Sequence, residues 1–143
     1  MKKRILCVCF GNTCRSPLMA AVLQSMLGEG WIVESAGVVE KVRSDHATNE
    51  SILVADEHGI DIRSHRPRSI RDMDDLYAFD RYIVTDQDVG NRLAEANVQR
   101  NRIIVLNEAG GGILNPWERG IDEYRACMDQ IQASAKDLAL RLK

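Results

Sequence analysis

The feature that most constrains the fold is a short apolar run followed at once by a polar turn and a helical pattern. Residues 5–10 form a continuous apolar run rich in strand-forming side chains, and residues 11–16 are mostly polar. Pro17 then opens an apolar-periodic stretch that extends to Leu27, and proline is well tolerated in the first turn of a helix. This order predicts a buried strand, a loop and a helix.

The same alternation of strand and helix patterns recurs along the rest of the chain. Strand-like runs cover residues 31–36, 80–85 and 102–106, and helical patterns cover residues 49–58, 87–96 and 121–142. Because parallel strands need helical crossovers, the pattern predicts an α/β fold with a four-stranded parallel sheet and helices on both faces. Ligands of such sheets bind beyond the carboxyl ends of the strands, where the loop Cys9–Ser16 is expected.

Length and composition favour one domain in a reducing compartment. The 143 residues are expected to form a single domain, residues 1–143, and 19 basic against 21 acidic residues give a formal charge of -2. This balance disfavours nucleic-acid and membrane partners, and no apolar run approaches the roughly 20 residues of a membrane-spanning helix. The four cysteines are poorly spaced for a disulfide framework, so a cytoplasmic protein is expected.

Cys9 and Arg15 enclose five residues, a Cys-x5-Arg spacing, between the first predicted strand and helix. Such a loop lets successive backbone N–H groups curl into an anion-binding ring, and the helix adds the positive end of its dipole. The same field favours the thiolate of Cys9, which is a nucleophile. Arg15 offers a planar fork to two phosphate oxygens, and the Ser16 hydroxyl can donate to the Cys9 sulfur. The loop therefore predicts an enzyme that attacks a bound phosphate dianion with Cys9.

The other cysteines lie outside this nucleophilic position. Cys7 and Cys127 fall within strand and helix patterns, so we expect them to be small buried apolar side chains. Cys14 lies inside the loop, and two interpretations stay open for it: an inert thiol, or a reversible disulfide with Cys9 under oxidation.

The segment Val8–Pro17 closely resembles the signature of the low-molecular-weight protein tyrosine phosphatases. The likeness continues in Ser35–Gly37, Ser64–Arg68 and Asp80–Asp86, so it covers nearly the whole chain in the expected order. The resemblance implies a phosphocysteine intermediate and no metal or organic cofactor. It also implies phosphorylated protein or a small aryl phosphate as substrate, with phosphate or sulfate-like anions held in the loop.

The resemblance further implies roles for individual residues. Cys9 is expected to be the nucleophile and Ser16 to tune its sulfur. Asn12 is expected to hold the loop in shape, with His65 bracing it from behind. The implied phosphate-binding residues are Phe10, Gly11, Asn12, Thr13, Cys14 and Arg15.

The substrate slot departs from the family pattern. Phe10 and Trp117 match positions that form its flat walls, which suit an aryl phosphate. However, this chain has Asn115-Pro116-Trp117 where the family usually has Asp-Pro-Tyr, and an amide cannot protonate a departing phenolate as that Asp does. General acid catalysis contributes roughly 10² to 10⁴ in rate, so slow turnover of phosphotyrosine is expected. Residues 38–45 also lack the aromatic side chain often found in the family's specificity loop.

Three explanations for Asn115 stay open: a natural enzyme with weakened activity, another acid in place of the usual Asp, or a deliberate Asp-to-Asn change. The candidate acids are Glu118, Asp122 and Glu123, although acidic residues are also common in a first helical turn. Asp86 is expected to serve structure or the rim of the site.

The leading hypothesis is hydrolysis of phosphomonoesters, preferentially phosphotyrosine. One alternative is a module that binds phosphate or a phosphoprotein with negligible turnover. Arsenate reduction is a third, because relatives on this fold use the same loop with extra cysteines. That redox relay needs a further cysteine pair in a mobile segment, whereas only Cys127 lies beyond residue 14, so the sequence disfavours it.

Overall fold

A parallel sheet of four strands organises the chain, which a computed structural model describes in full from Met1 to Lys143. The strands are β1 (Lys3–Cys9), β2 (Trp31–Gly37), β3 (Arg81–Val84) and β4 (Ile103–Val105). All neighbours are parallel, and the order across the sheet is β2-β1-β3-β4. The predicted α/β class and four-stranded parallel sheet are therefore confirmed.

Four α-helices connect and cover the strands: α1 (Arg15–Leu27), α2 (Asn49–Glu57), α3 (Gln87–Glu95) and α4 (Ile121–Leu142). Three short 3-10 helices cover Ile70–Asp72, Arg100–Arg102 and Glu108–Gly110. Helix α1 begins two residues before Pro17, so this proline lies within its first turn, where no N–H is needed. None of the helices combines the length and apolarity that crossing a membrane requires.

The side chains of β1 alternate between two cores, one on each face of the sheet. Ile5 and Cys7 are fully buried in a cluster with residues of α1, α2 and α4. Leu6 and Val8 are fully buried in a second cluster that includes residues of α3. Because β1 is central and covered on both faces, its sequence is a continuous apolar run from Ile5 to Cys9, after the more exposed Lys3 and Arg4. The loop after Cys9 therefore starts from a rigid strand.

Strand register brings the segments that form the site to one edge of the sheet. Cys9 is opposite Gly37 of β2, and Val8 is opposite Val84 of β3. A Cβ at Gly37 would lie 2.6 Å from the carbonyl oxygen of Phe10 and 2.9 Å from the carbonyl carbon of Gly11. Only glycine lets the loop after β1 pass this close to β2.

Candidate active site

The sulfur of Cys9 lies at the base of the loop between β1 and α1. Cys9 is only 2% exposed. Its Sγ accepts a hydrogen bond from the backbone N–H of Asn12 at 3.2 Å and lies 3.0 Å from the hydroxyl of Ser16. The loop thus places one backbone donor and one hydroxyl on the sulfur, an arrangement that favours negative charge there.

Asn12 holds the loop together from its centre. It is fully buried and has a φ of 62°, a left-handed conformation that asparagine tolerates better than most residues. Its Nδ2 donates to the hydroxyls of Ser16 at 2.7 Å and Ser35 at 3.0 Å, and its Oδ1 accepts from the N–H of Arg68 at 2.9 Å. Because Ser16 accepts from Asn12, its own proton can go to the Cys9 sulfur at 3.0 Å or to the carbonyl oxygen of Ala36 at 3.4 Å, and the sulfur is the nearer acceptor.

His65 contacts the back of the same residue. Its Nε2–H donates to the carbonyl oxygen of Asn12 at 2.8 Å. Burial lowers the pKa of His65, the positive charges of Arg68 and Arg66 act in the same direction, and the bond to Asn12 opposes them. With its proton on Nε2, the imidazole donates to the loop in its neutral form, the form that burial favours.

Arg15 is held at the rear of the loop by two acceptors. Its side chain is 7% exposed, and NH1 donates to the carbonyl of Ile113 at 3.0 Å and to the carboxylate of Asp86 at 3.3 Å. Asp86 also caps α3, since its Oδ1 accepts from the N–H of Val89 at 2.9 Å. No protein group hydrogen-bonds Nε or NH2 of Arg15, which leaves those donors to an anion in the loop.

A cavity of about 350 Å³ opens over Cys9 and Arg15. Phe10 and Trp117 line it and are each 43% exposed, so neither belongs to the core. The full lining is Cys9, Phe10, Gly11, Thr13, Cys14, Arg15, Val39, Arg43, Ser44, His46, Thr48, Asn115 and Trp117. The predicted loop and both predicted walls therefore meet in one slot, which has room for an aromatic ring on the phosphate.

No carboxylate lines this slot. Asn115 is exposed on its rim, where its Oδ1 accepts from the N–H of Trp117 at 3.2 Å. The candidate replacement acids Glu118, Asp122 and Glu123 are absent from the lining. Position 115 thus presents an amide to the slot, and no carboxylate lies beside it in the lining.

The four cysteines are all buried free thiols. Burial raises the pKa of Cys7 strongly and that of Cys127 to about 12, as suits inert core thiols. The Sγ of Cys14 lies 3.3 Å from the hydroxyl of Tyr124, whose pKa is also raised by burial. Cys14 therefore has a partner other than Cys9 in this state.

Several slot residues were missed by the sequence analysis. Arg43, Ser44, His46 and Thr48 come from the connection between β2 and α2. Single polar residues in a long connection carry no periodic or motif signal. The family resemblance placed residues 38–45, which include Arg43 and Ser44, at the specificity loop without naming either side chain. For His46 and Thr48 the only signal was their position after a strand at the carboxyl edge of the sheet.

A Cys-x5-Arg loop at the carboxyl end of the central strand defines a class of cysteine-dependent phosphatases. A family model described as low molecular weight phosphotyrosine protein phosphatase matches residues 4–143, and the chain belongs to that family.

Known proteins similar to this chain have several activities. A protein-arginine-phosphatase of Geobacillus stearothermophilus is 31% identical over 150 residues, which cover 100% of this chain and 98% of the relative. An arsenate reductase of Staphylococcus aureus is 30% identical over 144 residues, 98% of each chain. The structure of a low molecular weight protein tyrosine phosphatase from T. tengcongensis matches with a TM-score of 0.86 and 27% identity, covering 98% of this chain and 99% of the other. Family membership thus supports phosphatase chemistry without selecting one substrate.

Proposed function

We propose that this chain hydrolyses phosphotyrosine in cytoplasmic phosphoproteins through a phosphocysteine intermediate, with a rate limited by the missing general acid. The observation that carries the proposal is the placement of the Cys9 sulfur, with its two hydrogen-bonding partners, at the base of a slot with aromatic walls. Such walls favour a flat aryl leaving group.

In the first step the thiolate of Cys9 attacks phosphorus. An S–P bond forms, the ester P–O bond breaks, and the aryl oxygen leaves as a phenolate that solvent protonates. The loop amides and the guanidinium of Arg15 offset the charge on the three phosphoryl oxygens. The Ser16 hydroxyl keeps the sulfur anionic before attack.

In the second step water attacks the phosphorus of the phosphocysteine. The P–S bond breaks, Cys9 returns as a thiolate stabilised by Ser16, and the water oxygen leaves as part of dihydrogen phosphate. This step needs no protonated leaving group, because a thiolate in this loop is already a good one. Release of the phenol in the first step is therefore the slow chemical event.

The test is the dependence of turnover on the leaving group. With Asn115 in place, kcat should fall steeply as the phenol becomes more basic, with activity kept on nitrophenyl phosphates. Asn115→Asp should raise kcat on phosphotyrosine roughly 10² to 10⁴-fold and flatten the dependence.

Asn101→Asp makes the same chemical change on an exposed residue outside the slot and serves as the control. A flat dependence in the unsubstituted protein would show that another acid is at work. A complete lack of turnover of every aryl phosphate, nitrophenyl phosphates included, would favour a phosphate-binding module instead.

A second candidate substrate is phosphoarginine, because a protein-arginine-phosphatase is 31% identical along the full chain. Its scissile bond is P–N, and the same thiolate attack would apply. Peptides of one sequence that carry either phosphotyrosine or phosphoarginine separate the two candidates. We expect a higher kcat/KM for the phosphotyrosine peptide, and the reverse order would make phosphoarginine the substrate.

Arsenate reduction is not proposed, because Cys127 is fully buried in α4 and no other cysteine lies beyond residue 14.

A further inference from the structure

The mouth of the slot carries two arginines that have no carboxylate partner. Arg43 lines the cavity, Arg92 stacks on the lining ring of Phe10, and no Asp or Glu lines it. Arg43 and Arg92 are both exposed, and neither takes part in any ion pair of the structure. Their charges are therefore available to a ligand.

Each aromatic wall of the slot holds one of these arginines. The guanidinium carbon of Arg43 lies 4.8 Å from the ring centroid of Trp117, and that of Arg92 lies 5.9 Å from the ring centroid of Phe10. Stacking on a ring restrains a guanidinium while leaving its N–H donors free at the edge. The two charges are thus positioned at the rim.

The two arginines come from different elements. Arg43 belongs to the connection between β2 and α2, and Arg92 belongs to α3. Among nearby carboxylates, Glu40 is paired with Arg71 at 3.0 Å, and Asp45 lies 3.9 Å from His46. Asp86, which caps α3, is engaged with Arg15. Asp88 and Glu95 of α3 form no ion pair with Arg92 and do not line the slot, so a ligand seated there meets the positive charges of Arg43 and Arg92.

We propose that Arg43 and Arg92 form a cationic clamp that selects phosphorylated protein segments with Asp or Glu beside the phosphorylated residue. This inference rests on the proposed function, since it names the class of phosphoprotein that the same slot accepts. Arg15 and the loop amides already bind the phosphate dianion, so Arg43 and Arg92 are left to contact the residues that flank it. Charge complementarity of this kind sets partner choice more than absolute affinity.

The expected effect is moderate because both arginines are exposed. Exposed ion pairs typically change a binding constant by about two- to fivefold each, so the pair should favour acidic over neutral flanks by about tenfold. The preference should shrink as salt rises, because exposed charges are screened.

The experiment compares three phosphotyrosine peptides of one length whose flanking residues are acidic, the corresponding amides, or lysines. We expect kcat/KM to be highest for the acidic peptide and lowest for the lysine peptide. Arg43→Gln and Arg92→Gln should each reduce the preference, and the double variant should nearly remove it. Arg81→Gln, a matched charge change at the start of β3 and outside the slot, should keep it. Equal rates for the three peptides, or an equal loss in Arg81→Gln, would overturn the clamp.

Two further measurements separate the clamp from the proposed function. Affinities of the same peptides for Cys9→Ser, measured by fluorescence anisotropy, should show the same order without any turnover. The second measurement is the effect of salt on these affinities in the protein with both arginines intact, where the preference for the acidic peptide should shrink. This measurement does not depend on whether an arginine variant folds. Absence of p-nitrophenyl phosphate turnover would defeat the proposed function alone, whereas turnover without charge preference would defeat the clamp alone.

Discussion

The phosphate loop and the segment Asn115–Trp117 face the same slot but are held very differently. Asn12 alone takes part in five hydrogen bonds, which join it to Cys9 at the end of β1, to β2, to α1 and to the residues around His65. Asn115 is exposed, and its side chain has one hydrogen bond, to the N–H two residues later. The half of the site around Cys9 and Arg15, the rigid half, is thus tightly hydrogen-bonded, whereas the half around Asn115 is loosely held and offers no carboxylate to the slot. Binding and turnover should therefore respond separately to substitution.

The largest effect should come from Cys9→Ser. A hydroxyl in place of the thiolate should lower kcat on p-nitrophenyl phosphate by at least about a thousandfold, because the intermediate cannot form at a useful rate. Cys127→Ala, a change at a buried thiol outside the slot, is the control and should keep activity. Substantial turnover by Cys9→Ser would show that Cys9 is not the nucleophile and that the rigid half does not have the role assigned to it.

Arg15→Lys should have the next largest effect. An ammonium keeps the charge but loses the planar fork and the bonds that NH1 makes to Asp86 and Ile113. We expect kcat/KM to fall about 10² to 10³-fold, the usual consequence of removing one donor to developing charge. Steady-state kinetics and inhibition by inorganic phosphate measure it, and a loss below about tenfold would show that the loop amides alone carry the phosphate.

Much of the rigid half could be predicted from the sequence, because it is local. A buried central strand, a short loop and a helix start are consecutive between Lys3 and Leu27, so apolar patterning and residue chemistry locate Cys9 and Arg15 together. The rim could not be predicted in this way. Arg43 and Arg92 reach it from a loop and a helix far apart in sequence, and only the folded register brings them beside Trp117 and Phe10.

Gly37→Ala tests whether packing against β2 sustains the rigidity of the loop. The new Cβ would meet backbone atoms of Phe10 and Gly11, which cannot move without disturbing the loop. Overpacking of this kind costs about 1 to 3 kcal/mol in the free energy of unfolding, and activity should fall with it. In Gly30→Ala, where the Cβ meets nothing within 4 Å, both should be nearly unchanged. Denaturant unfolding measures the two free energies of unfolding. Equal values for the two variants would show that the loop can move to accommodate the new Cβ at little cost.

The smallest expected effect concerns His65, whose neutral form supports the loop. Because burial lowers the pKa of His65 in the folded protein, the unfolded chain takes up the proton first as pH falls below about 6.5, the usual value for histidine. Its contribution to stability is therefore fully present above that pH and is lost as pH falls through the lowered value. His65→Gln keeps a donor for the carbonyl of Asn12 but cannot titrate, so its stability should change less between about pH 7.5 and pH 5. Urea unfolding at both pH values measures this, and an identical pH dependence in the two proteins would show that protonated His65 holds the loop equally well.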